Sequence, residues 1–197
     1  MVDQAKIDEF VERLPDNVVA VFDEAYMELV PPERQVDTLK HVRAGKKAVV
    51  TLRTFSKAYG LAGLRIGYAM AQPDCIDLLN KVRQPFNVNA MAQAAAVAAL
   101  DDADHLERTR QMLVAGRRQL MDGMRALGLE PIDSVTNFIM FAYPKARELT
   151  AELTKRKVIV RPLAGFGLPG HVRVTVGTEA ENATYLAALA ESLAALA

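Results

Sequence analysis

Two short apolar runs constrain the fold of this chain more than any other feature. The first is Val18, Val19, Ala20, Val21 and Phe22; the second is Ala48, Val49, Val50, Thr51 and Leu52. The first run shows no alternation with polar residues, and a β-branched strand of that kind suits burial on both faces, as in the centre of a parallel sheet. Between the two lies a helical patch with Leu39 and Val42 that ends at Gly45. Strand, helix and strand with short connections make the pattern of an α/β fold. A third strand is expected over about 65–71. Ahead of the first strand, Ile7, Phe10, Val11 and Leu14 recur at helical spacing after Asp3, a suitable N-cap, and Pro15 closes that run.

From Pro73 the pattern turns helical. Ile76, Leu79 and Val82 form one stripe, and further helices are expected over 89–100 and 103–127. In the last of these Leu106, Leu113, Leu120 and Leu127 fall seven apart. A coiled coil would need a second sustained apolar position, so the helix reads as a spine between two domains, with Gly128 as its C-terminal cap. Short strands follow at 137–143, 158–161 and 172–176, with a helix near 146–156. Thr178 and Glu181 have the spacing of a capping box for the final helix. The chain therefore divides near Asp101, into a parallel α/β portion over 1–100 and a smaller α+β portion over 101–197 that includes the long linking helix.

Bulk properties exclude several function classes. Formal net charge is zero, which points to neither nucleic acid nor an anionic membrane surface. The single cysteine, Cys75, rules out an internal disulfide; it reads as a small apolar residue and fits a reducing compartment. The first residues lack the apolar core of a signal peptide. The longest apolar runs, near 91–100 and at the C-terminus, are alanine-rich and interrupted, short of the roughly 20 residues a membrane span needs. A cytoplasmic protein is expected. His41, His105 and His171 are scattered without the spacing of metal ligands, so no metal is expected.

Three segments carry chemistry. Asp23, Glu24, Ala25 and Tyr26 directly follow the first strand, and the C-terminal ends of parallel strands are where α/β proteins place ligands. Taken alone, Asp-Glu at that point is more often a helix start or a metal-binding pair. The second segment follows the strand at 48–52 and holds Thr54, Ser56, Lys57, Gly60, Gly63, Arg65 and Gly67. Hydroxyls and a guanidinium fork suit a phosphate, and glycines admit a ligand close to the backbone. A lysine among them is a candidate for a covalent bond to a carbonyl carbon. A P-loop does not fit, because here the lysine precedes the glycines. The third segment is Val172 to Gly177, with Arg173 inside an alternating strand and Arg161 at the end of an earlier one. Each arginine reads equally as a snorkelling edge residue or as an anion clamp.

The run Thr-Phe-Ser-Lys-Ala-Tyr-Gly-Leu-Ala-Gly-Leu-Arg-Ile-Gly-Tyr at 54–68 closely resembles the signature of the fold-type I pyridoxal-phosphate (PLP) aminotransferases, in the branch of histidinol-phosphate and aromatic aminotransferases. Asp-Glu-Ala-Tyr upstream and Arg-Val-Thr-Val-Gly downstream stand in the order of that family, and the resemblance runs over essentially the whole chain. It implies the C-terminal part of a PLP-binding large domain, a parallel-type sheet with flanking helices, over 1–100 and a small α+β domain over 101–197. It implies that Lys57 bonds the cofactor aldehyde and moves the substrate's α-proton, that Asp23 pairs with the ring nitrogen, and that Tyr26 bonds the ring oxygen. Thr54, Ser56 and Arg65 would hold the cofactor phosphate, Arg173 the substrate carboxylate, and Arg161 a second anion.

The implied reaction is amino transfer from histidinol phosphate to 2-oxoglutarate, a step of histidine biosynthesis. Aromatic amino acid transamination is the nearest rival, and an inactive binding or assembly module the non-enzymatic one. The chain starts where the family's Asn-Pro-x-x-Pro-Thr-Gly segment ends, so the resemblance covers only the second half of such an enzyme. Weak PLP binding and little turnover are expected of the chain alone, as is assembly into a homodimer or with a missing N-terminal half, because half a sheet leaves an unpaired edge and bare apolar faces.

Overall fold

A computed structural model describes residues 2–197. The chain forms two compact units, the first ending at Glu107 and the second running from Arg108 to Ala197.

In the first unit, α1 (Gln4–Glu12) begins where the Asp3 carboxylate accepts the Lys6 N–H at 2.9 Å, which satisfies one of the free donors of a helix start. Its apolar stripe, Ile7 and Val11 with Leu14 beyond, packs against Ala20 of β1 (Ala20–Asp23), Val42 of α2 (Leu39–Ala44) and Val49 of β2 (Val49–Thr54). Helix α2 stops at Gly45, whose φ of +62° is left-handed. The sheet is completed by β3 (Gly67–Ala71), and α3 (Pro73–Val82) and α4 (Ala90–Asp101) follow.

Two expectations for this unit are corrected. The sheet has the order β1-β2-β3 and is mixed rather than parallel: β1 runs parallel to β2, but β3 runs antiparallel. A parallel return needs a crossover that carries the chain back along the sheet, usually a helix. The segment between β2 and β3 is a loop with one short 3-10 turn at Ala62–Leu64, and it folds straight back. Nor is the first strand buried on both faces. Ala20 is buried and Phe22 partly so, both facing α1 and α2, whereas Val19 and Val21 are more than half exposed. Helices α1 and α2 cover the face that bears Ala20 and Val49, and β1 is an edge strand, so Val19 and Val21 stay open although Val50 of β2, on their side, is buried. The stripe of α3 is likewise open, with Val82 81 % exposed.

Helices α1 and α2 are also joined by charge. Asp8 accepts from Gln4 at 2.7 Å, from Lys40 Nζ at 2.6 Å, and pairs with His41 Nε2 at 2.8 Å. The Lys40 hydrogen bond, then that of Gln4, holds the Asp8 carboxyl at about 2 against an ordinary 3.8. A depressed carboxylate pKa adds stability that is complete above the unfolded value and is lost as the pH falls through the folded one. Asp8→Asn should therefore flatten the dependence of thermal stability on pH between about 4 and 2, and added salt should shrink the wild-type slope. An Asp8→Asn melting profile parallel to wild type across that range would contradict this.

The second unit is built on α5 (Ala103–Ala126), of which Leu113, Leu120 and Met124 are buried. At Gly116 a Cβ would stand 2.5 Å from Val176 Cγ1, so glycine lets the helix approach that residue. Gly128, at φ +78°, ends the helix, and Leu129 N–H reaches back to the Met124 carbonyl at 3.0 Å. A four-stranded antiparallel sheet follows in the order β4-β5-β7-β6: β4 (Pro131–Ile132), β5 (Phe138–Ala142), β6 (Arg161–Pro162) and β7 (His171–Thr175). Ile139, Phe141, Val172 and Val174 point inward with Leu149 and Leu153 of α6 (Ala146–Lys155) and Leu189 of α7 (Glu179–Leu196). The capping box at Thr178 and Glu181 is formed as expected.

The strand expected over 158–161 is shorter and later. Lys157 takes a φ of +61°, and Val158 N–H bonds the Leu153 carbonyl, so these residues complete the end of α6 instead of extending. Among the described residues no helix is long and apolar enough to cross a membrane.

Candidate active site

The parallel pair β1 and β2 places its C-terminal ends side by side. Asp23 sits opposite Leu52, and Glu24 N–H continues the ladder to the Leu52 carbonyl at 2.9 Å. Asp23 is exposed at this end, and its Oδ1 accepts the Ala25 N–H at 3.1 Å, which turns the chain toward Tyr26. On β2 the last residue, Thr54, accepts the Ser56 N–H on its hydroxyl at 3.1 Å and starts a compact loop.

That loop presents Lys57 outward by burying its neighbours. Phe55 and Ala58 are 4 % and 2 % exposed, and the Phe55 ring packs against Tyr59 and Tyr68. Leu61 N–H bonds the Phe55 carbonyl, Gly60 N–H bonds the Lys57 carbonyl with φ at +70°, and Phe55 N–H bonds the Ile66 carbonyl. Lys57 Nζ lies 5.6 Å from the centroid of the Tyr26 ring, an attraction between ammonium and aromatic face. Arg65 closes the loop in a left-handed conformation at φ +54°, its guanidinium donating to the Ala62 carbonyl at 3.0 Å. A non-glycine residue there is uncommon and draws attention to the site. At Gly67 a Cβ would stand 2.7 Å from the Arg53 carbonyl, so glycine allows β3 to close on β2 beside the loop.

The first unit thus assembles six of the residues singled out in sequence, Asp23, Tyr26, Thr54, Ser56, Lys57 and Arg65, at one end of its sheet. Clefts lined by Asp8, Lys40 and His41, and by Asp16, Gln72 and Cys75, lie elsewhere on the unit; Lys57 itself is exposed. Arg161 and Arg173 belong to the second unit, directly opposite each other on β6 and β7. Arg173 stacks its guanidinium 4.6 Å from the Phe138 ring centroid, and its buried Nε makes no hydrogen bond. His171, two residues before it, lies on the same face of β7.

Sequence reading missed a buried polar cluster behind Asp23. Glu24 is 5 % exposed; its Oε1 accepts from Thr38 at 2.6 Å, and its Oε2 accepts from Arg53 Nε at 3.0 Å and from Arg53 Nη2 at 2.9 Å. Thr38 shares a 2.8 Å bond with buried Thr51. Burial would lower the Arg53 pKa, but the hydrogen bond and charge of Glu24, with the charge of Glu28, outweigh it and raise it above the usual arginine value. The available signal was a charged residue at each strand's end, Glu24 after β1 and Arg53 within β2, which the parallel register makes neighbours.

The first unit thus sets an exposed lysine on a hydroxyl-bearing loop after β2 beside a carboxylate and a phenol that follow β1. The family description that matches, over residues 1–189, is aminotransferase class I and II, and the chain belongs to that family. It is 50% identical over 188 residues to histidinol-phosphate aminotransferase 1 of Dechloromonas aromatica (strain RCB), with 93% of this chain and 51% of that protein covered. To the enzyme of the same name from Thiobacillus denitrificans (strain ATCC 25259 / T1) it is 48% identical over 190 residues, covering 96% of this chain and 49% of the relative. The crystal structure of histidinol-phosphate aminotransferase from Sinorhizobium meliloti in complex with pyridoxal-5'-phosphate superposes with a TM-score of 0.90 at 31% identity, covering 100% of this chain and 54% of that one. The chain spans about half the length of the curated relatives it matches. The family is PLP-dependent.

Proposed function

We propose that this chain holds PLP and serves amino transfer from histidinol phosphate to 2-oxoglutarate, giving imidazole acetol phosphate and glutamate. The observation that carries the reading is Lys57 Nζ over the Tyr26 ring at the ends of the strands that bear Asp23 and Thr54. The donor set fits the group: an amine for an aldehyde carbon, a carboxylate for a ring nitrogen, a phenol for a ring oxygen, and two hydroxyls with a guanidinium for a phosphate. When bound, PLP supplies a carbonyl carbon for amines and a protonated ring that takes up electrons from the substrate α-carbon.

The chain's own residues do the rest. Lys57 anchors the cofactor and, once released, carries the proton at the substrate α-carbon. Asp23 keeps the proton on the ring nitrogen, and Tyr26 donates to the ring oxygen. Thr54, Ser56 and Arg65 hold the phosphate. Arg173 and Arg161 bind the substrate's anionic groups, carboxylate and phosphate; Arg173, with a buried N–H free of protein acceptors, is suited to the first. In this reading residues 1–100 belong to the cofactor-binding domain and 101–197 to a smaller domain, and the protein works in the cytoplasm as a homodimer or joined to a complementary half. Exposed Val19 and Val21 beside an edge strand support such an assembly.

The test is incubation with PLP, borohydride reduction and peptide mass mapping, on the chain alone and mixed with the first half of the Dechloromonas relative. Adduct on the Lys57 peptide is expected to be slight on the chain alone and stable in the mixture, where histidinol phosphate should outpace phenylalanine as amino donor. An adduct spread over surface lysines, or phenylalanine as the better donor, would overturn the cofactor site or the substrate assignment respectively.

A further inference from the structure

The buried cluster of Glu24, Arg53, Thr38 and Thr51 has a definite hydrogen-bond direction. Glu24 as a carboxylate only accepts, so Thr38 spends its one hydroxyl proton on it, and the Thr38–Thr51 bond must then be donated by Thr51. The chain Thr51 to Thr38 to Glu24, with two N–H groups of Arg53 on the other carboxylate oxygen, leaves little rotational freedom. It joins three places: the end of β1, the end of β2 and the residue before α2.

Its position in the register matters more than its bonds. Glu24 follows Asp23 directly, and Arg53 directly precedes Thr54. Because strand side chains alternate, Glu24, Arg53 and Thr51 lie on the helix-covered face while Asp23 and Thr54 lie on the other. The pair therefore clamps the two strand ends from behind at the level where the candidate site begins in front. Burial of an ion pair is weak evidence for stability, since well-packed apolar residues often do as well. A cluster so placed calls for a geometric role.

We propose that Glu24 and Arg53, with Thr38 and Thr51, are positioning residues that fix the spacing between Asp23 and Lys57, so that the lysine amine meets the aldehyde of a PLP whose ring nitrogen faces Asp23. This rests on the cofactor reading above. The variants are Glu24→Met with Arg53→Met, which replaces the pair by apolar residues of similar length; Arg53→Lys, which keeps the charge but loses the planar fork; and Thr38→Val, which removes one link. Each is followed by thermal melting, by the rate of borohydride-trapped adduct formation on Lys57, and by the pH midpoint of the bound cofactor's visible absorbance.

The double variant and Arg53→Lys should stay folded yet trap PLP on the order of 10- to 100-fold more slowly, the scale of a misplacement near 1 Å, with a shifted absorbance midpoint. Folded variants that trap at the wild-type rate with an unmoved midpoint would overturn the positioning role. So would loss of folding in every variant, which would make the cluster structural. Absence of any Lys57 adduct in the wild type, alone or with the complementary half, would instead remove the cofactor reading and this inference with it.

Discussion

Lys57→Ala is expected to abolish the borohydride-stable PLP adduct and to lower amino transfer by about 10^2- to 10^4-fold, the range of a positioned proton-transfer group. Stability should scarcely move. The loop that carries Lys57 is held by the buried Phe55 and Ala58 and by backbone bonds from Phe55, Gly60 and Leu61, none of which involves the lysine side chain. Replacing an exposed side chain in such a frame usually changes stability by no more than about 0.5 kcal/mol.

Lys57→Arg sharpens the test. It keeps a cation against the Tyr26 ring, but a guanidinium does not lose its proton in proteins and offers no nucleophilic amine. If the role of Lys57 were electrostatic, arginine would preserve function; if it is covalent, arginine should fail as completely as alanine. Retained trapping on the 57-bearing peptide in either variant, or turnover of Lys57→Arg near wild type, would refute the covalent assignment.

The second large effect is on stability, in the other unit. Phe141→Ala should cost about 3–5 kcal/mol. Phe141 is fully buried in β5, opposite Pro131 of β4 and Val172 of β7, in the same inner layer as Ile139, Leu149, Leu153 and Leu189. The loss combines the transfer of an aromatic side chain out of a close-packed interior with a cavity that an antiparallel sheet cannot collapse into without breaking its register. Against the roughly 5–15 kcal/mol that holds a domain together, this would leave the unit marginal. Phe141→Leu, which keeps most of the volume, should cost far less. Denaturant midpoints of the three proteins decide the matter; a Phe141→Ala midpoint close to wild type would mean that this layer repacks freely.

The candidate residues drew notice in sequence through local chemistry, a lysine among hydroxyls and glycines above all, whereas the carboxylate and phenol after the first strand gained a role only from the family resemblance. The caps were equally local: Asp3, Gly45, Gly128 and the Thr178–Glu181 box depend only on a few consecutive residues, and each forms as its pattern implies.

What sequence could not decide were relations between segments distant along the chain. The direction of β3 depends on how a twelve-residue loop folds back on β2, and apolar content is the same for either direction. The exposure of Val19 and Val21 depends on which face α1 and α2 choose, a matter of packing rather than of hydrophobicity. The knot of Glu24, Arg53, Thr38 and Thr51 arises only when parallel register brings two strand ends together and α2 begins beside them. Side-chain chemistry is written in the order of residues, whereas register, strand direction and burial are set by contacts that exist only once the chain has folded.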